Sequence, residues 1–170
     1  MQKETVIKVL SVLFVLLNMA AIFAFSSQDA TNSDKTSKGT IEVIAKIVDK
    51  NFKKLPQAQK DRLVADLNGF VRKAAHFSIY CLLGLLTANA LFRFSVRRFP
   101  LACVSVGICA LYAAGDEFHQ YFVPGRSCQI TDVMIDTGGA VLGTAVFMLL
   151  ALAAAKIKAK RRASQNDKAA

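Results

Sequence analysis

Four stretches of the chain, residues 5–25, 74–92, 99–115 and 133–155, are almost wholly apolar. Each is near the roughly 20 residues a membrane-crossing helix needs. Two shorter stretches between the first and second have a different rhythm. Ile41, Ile44, Val48, Phe52 and Leu55 recur at helical spacing, with Lys46, Lys50 and Lys53 on other faces. Pro56 breaks that pattern, and Leu63, Val64, Leu67 and Val71 then form a second amphipathic stretch over 58–71. The second stretch is expected to run straight into the second span. The pattern predicts an all-α polytopic membrane protein, with four spans and amphipathic helices in the first extracytoplasmic loop. The first amphipathic helix suits either an anionic bilayer surface or the outside of the bundle. The whole chain, 1–170, reads as a single domain.

Composition agrees. The chain is 54% hydrophobic yet carries a formal charge of +10. Soluble domains seldom combine the two, whereas small membrane proteins with basic cytoplasmic ends do. The basic residues flank apolar runs and no nucleic-acid motif is present, so nucleic acid is not expected as a partner. Cys81, Cys103 and Cys109 fall in apolar runs and read as small buried hydrophobes, and Cys128 lies in a polar loop. The first span is longer than a signal peptide's apolar region, lacks a clear cleavage site, and is expected to stay.

Lys and Arg placement sets the orientation. The N-terminus, the second loop (Arg93, Arg97, Arg98) and the tail 156–170 are basic and share one side. The first loop, 26–73, holds ten basic residues, but most lie far from a span or beside acids. Both termini are therefore expected in the cytoplasm. Arg72, Lys73 and the segment 116–136 then face outward.

That segment carries the candidate chemistry. Asp116, Glu117, His119, Gln120, Arg126, Asp132 and Asp136 crowd the edge of hydrocarbon, where charge is costly and usually has a purpose. On the second span Arg72, His76 and Tyr80 follow one another at four-residue intervals, with Lys73 beside them, so all four share a side. Asp116, His119 and Gln120 share a helix face, with Glu117 to its side. Val123-Pro124-Gly125-Arg126 suits a tight turn that leaves Arg126 near both helix ends. Asp136, Gly139 and Gly143 continue a stripe from Asp132, and the glycines let two backbones approach closely.

These residues divide into two roles. Arg72, Lys73 and Arg126 are expected to bind an anionic phosphate, with Tyr80, Gln120, Asp132 and Asp136 completing the binding site. His76, Asp116, Glu117 and His119 are the candidate catalytic residues: His119 or His76 would move a proton, with Asp116, Glu117 or Asp132 orienting it. A divalent ion on His76, Asp116, His119 and Asp132 has suitable ligand types but no established spacing. Ser127 and Cys128 are the nearest nucleophiles, and no nucleophile motif surrounds them.

FSSQ (25–28), RKAAHF (72–77) followed by Tyr80, Leu83 and Gly84, and DEFHQYFVPGR (116–126) with Asp132, Asp136 and Gly139 resemble the VanZ-like family of bacterial membrane proteins. The resemblance implies a multi-pass protein of the bacterial inner membrane. It also implies a link to low-level resistance to the glycopeptide teicoplanin, with no settled biochemical activity. Many members have Glu where this chain has Ile79, so a mechanism needing that carboxylate does not transfer. Three readings follow: a site for an anionic envelope lipid or a lipid-linked wall precursor, an enzyme acting on such headgroups, or a non-catalytic partner-binding protein.

Overall fold

A computed structural model describes residues 2–27, 41, 44, 47, 55–126 and 128–169. Four long helices account for nearly all of them: α1 (Gln2–Ser26), α2 (Gln57–Arg93), α3 (Arg98–Gln120) and α4 (Ile130–Ala169). Each is long and apolar enough to cross a membrane. The chain is an all-helical multi-pass membrane protein. The expected amphipathic helix over 41–55 lies largely outside the described residues. The second amphipathic stretch does join its span, because α2 is one helix of 37 residues. At 1.5 Å per residue it is about 55 Å long, well beyond the roughly 30 Å of hydrocarbon, so one end projects.

Local chemistry explains the helix ends. Pro56 is extended (φ −55°, ψ 150°) immediately before α2. After α2, Ser95 takes a positive φ of 61°. The N–H groups of Phe94, Ser95 and Val96 bond back to carbonyls of Ala90, Leu91 and Phe92. Pro100 falls in the first turn of α3, where its missing N–H has no helical partner to lose.

The core gathers Ile22, Tyr80, Leu83, Cys109, Ala113 and Ala140 from all four helices. Helices α2 and α4 make the closest contact, backbone against backbone, at Gly84, Gly139 and Gly143. Beside it the Ser105 and Thr144 hydroxyls lie 3.0 Å apart and within 3.2 and 3.4 Å of the Gly84 carbonyl, so one donates to the other and the other to that carbonyl. Tyr112 donates to the Met19 carbonyl (2.7 Å) and ties α3 to α1. Asn18 is a polar residue deep in the first apolar run, a position that suits a bond to a neighbouring helix, yet its Oδ1 is buried without a hydrogen-bond partner. Cys109 is buried as expected, while Cys103 is exposed.

Antiparallel succession brings the end of α1, the Arg72–Tyr80 region of α2, the end of α3 and the start of α4 to one end of the bundle. At the other end Lys8 stands 5.6 Å from the Phe94 ring centroid, joining the start of α1 to the α2–α3 turn.

Candidate functional site

Two connected sets of side chains occupy the polar end. In the first, α2 faces α4. The Nδ1 of His76 lies 3.5 Å from Oδ2 of Asp136. One turn nearer the end, Lys73 pairs with Asp132 at 3.6 Å, beyond hydrogen-bond range. The four-residue spacings on both helices put the two pairs in register, so each supports the other's alignment. Arg72, Lys73, His76, Asp132, Ile135 and Asp136 line a shallow cleft of about 10 Å³. That is about the least volume that holds one water, so a larger group would sit over the cleft rather than in it.

In the second set, α3 faces α1. Ser26 donates to Oδ2 of Asp116 (2.8 Å) and Gln120 donates to the same oxygen (3.1 Å). Arg126 then donates to Oε1 of Gln120 (3.0 Å) and to the Phe25 carbonyl (3.3 Å). His119 stands on the α1 side as well. Its Nε2 is 3.3 Å from the Ser27 hydroxyl and its ring centroid 4.6 Å from that of Phe23. Glu117 points the other way and accepts the Gln129 N–H (2.8 Å), closing the α3–α4 connection.

The turn in that connection has the expected form. Gly125 has φ 77°, and the Arg126 N–H bonds the Val123 carbonyl (3.1 Å). Alanine at Gly125 is expected to cost about 1–2 kcal/mol of thermal stability, since L-residues resist positive φ. It should also loosen Arg126 from Gln120. Equal melting temperatures for Gly125→Ala and the parent would contradict this.

Depth sorts the charges. The carboxylates lie beneath: Asp136 is 1% exposed, Glu117 2% and Asp116 5%. The cations lie above: Arg72 is exposed, and Lys73 and Arg126 are partly so. An anion approaching this end meets guanidinium and ammonium groups first. Burial lowers the pKa of Arg126 below the ordinary arginine value, and the nearby Arg72 charge lowers it further, against the pull of Asp116 and Glu117. Like charges that sense one another favour an anion nearby. Phe118, Tyr121 and Phe122, stacked edge to face and exposed, ring the same end as an interfacial aromatic belt would.

The predicted site residues share one end of the bundle. His76 pairs with Asp136 of α4 and also borders the α1 residues Ile22, Phe25 and Ser26, while His119 lies beside Phe23 and Ser27 of α1. Among the described residues no three His, Cys, Asp or Glu side chains are grouped to hold a metal, so the set His76, Asp116, His119 and Asp132 does not converge. Tyr80 is fully buried beneath the site, its ring centroid 6.4 Å from that of Tyr112. Of the candidate nucleophiles, Cys128 is exposed, and Ser127 lies outside the described residues. Ser26 was the residue missed. It reads as the start of a polar loop, and its role depends on a partner ninety positions away.

The family model that matches the chain is VanZ/LLP1, over residues 11–151. No curated protein and no solved structure matches it.

Proposed function

Because the chain belongs to the VanZ/LLP1 family, a membrane family that does not by itself specify a reaction, we propose from the site that it binds the head of an anionic envelope lipid. The ligand class is a phospholipid or a lipid-linked wall precursor. The observation that carries the reading is the order of charge with depth: Arg72, Lys73 and Arg126 nearer the surface, and Asp116, Glu117 and Asp136 buried beneath. The carboxylates hold the cations in place through Asp132 on Lys73 and through Asp116 and Gln120 on Arg126. Planar guanidiniums match phosphate oxygens in pairs. The basic residues at the opposite end support a cytoplasmic side there, and on that reading the site faces outward from the bacterial inner membrane. The physiological role we assign is in envelope homeostasis, with teicoplanin susceptibility as the phenotype to examine.

The test is lipid retention by purified protein. Arg72→Ala with Arg126→Ala is expected to weaken binding of phosphatidylglycerol at least about tenfold, the loss of one charge-assisted contact of about 1.5 kcal/mol or more. Arg97→Ala with Arg98→Ala, at the far end, should leave it unchanged. Equal retention by both variants contradicts the reading.

One observation favours a second reading, a hydrolase or transferase acting on such heads. His76 is held through Nδ1 by a buried carboxylate, the arrangement that orients a general base. His76→Ala that keeps lipid binding but loses headgroup turnover would support it; absence of turnover in the parent protein would end it. Loss of fold and binding together would instead favour a non-catalytic, structural role for His76.

A further inference from the structure

A cavity of about 180 Å³ lies between α1 and α2, lined by Ile22, Phe25 and Ser26 from one helix and Ala75, His76 and Ile79 from the other. Phe25 and Ala75 are exposed, so it opens on the flank of the bundle. Both helices are of membrane-crossing length and composition, so that flank faces lipid. Four of the six walls are hydrocarbon. An enclosed apolar cavity of about 150 Å³ is already large enough to take a benzene ring.

The two polar walls connect the cavity to the site. Ser26 donates to buried Asp116, and His76 pairs with buried Asp136. His76 also lines the cleft beside Arg72 and Lys73. The Phe25 carbonyl accepts from Arg126 while its residue walls the cavity. The cavity and the cationic layer are therefore contiguous through His76 and Phe25.

We propose that this cavity holds the hydrocarbon chain of a membrane lipid, in the segment next to its head, and that the lipid reaches the site sideways between α1 and α2. The proposal rests on the headgroup reading and narrows it, since a free phosphate has nothing to place there. Ile79 sets the character of the pocket: an apolar side chain at that wall suits a methylene chain and no charged group.

The test uses the full chain in nanodiscs with a phosphatidylglycerol that carries a photoreactive diazirine near the carboxyl end of one acyl chain. Adducts are expected on Ile22, Phe25, Ala75 and Ile79, at least tenfold above those on other lipid-facing residues such as Val104, Ile108 and Leu149. Ala75→Phe, an exposed helical position, fills the mouth and should remove most of them at unchanged melting temperature; Ile79→Phe serves as a second filling variant. Even labelling around the bundle, or labelling that neither variant reduces, overturns the proposal. So does an unlabelled cavity. The headgroup reading fails separately: cavity adducts with no preference for phosphatidylglycerol over phosphatidylcholine would sink that reading and leave the chain pocket standing.

Discussion

Valine at Gly143 is expected to abolish the folded bundle, and alanine there to cost about 3 kcal/mol. A Cβ at Gly143 would meet the Cys81 carbonyl group, with its carbon 2.7 Å away, and the Leu85 nitrogen at 2.9 Å. These are backbone atoms of a continuous helix and cannot swing aside as a flexible side chain would. Overpacking usually costs about 1–3 kcal/mol, and a clash with backbone belongs at the top of that range. Gly84 faces Ala140 and Gly139 faces Phe77 in the same seam, so α2 and α4 would separate along its length. Gly107 supplies the control. A Cβ there meets nothing within 4 Å, and Gly107→Ala should be neutral or stabilising by up to about 1 kcal/mol through helix propensity. Thermal unfolding in detergent distinguishes them; a Gly143→Ala protein as stable as Gly107→Ala would mean that the seam is not where the structure places it.

Removing the Asp136 carboxylate has the second large effect. Breaking a buried pair by truncating one member costs about 3–5 kcal/mol when the remaining charge is stranded. His76 can shed its proton, which lowers the expected cost of Asp136→Ala to about 2–3 kcal/mol. The double variant with His76→Ala should cost less than the two single variants together, by at least about 0.5 kcal/mol, because neighbours in contact are not additive. Full additivity would show that the 3.5 Å approach does not couple them. The same substitution should loosen the cleft, since Asp136 and Asp132 sit one turn apart on the helix that faces Arg72 and Lys73.

Much of this was legible from spacing. Four apolar runs gave four helices, and the Asp132, Asp136, Gly139, Gly143 stripe gave the face of α4 that meets a partner. The partner itself was not legible: Gly84 opposite Ala140 depends on the register between two helices, which no local pattern encodes. The helix wheel placed Asp116, His119 and Gln120 on one face without indicating that the face meets α1. His119 and His76 both lie near the end of a span, and only the tertiary packing shows that His119 meets Phe23 and Ser27 while His76 pairs with Asp136. Ser26 shows the same limit, because its polarity marks the end of α1 but its hydrogen bond to Asp116 is a tertiary fact. Asn18 shows the converse, a local signal for an interhelical bond whose oxygen the packing leaves unpartnered.

Electron microscopy of the protein extracted with its native lipids tests the central claim most directly. Headgroup density should lie over the cleft, within contact distance of Arg72 and Arg126 and above Asp132 and Asp136. Well-defined lipid elsewhere around the bundle, with no density between those two arginines, would contradict it.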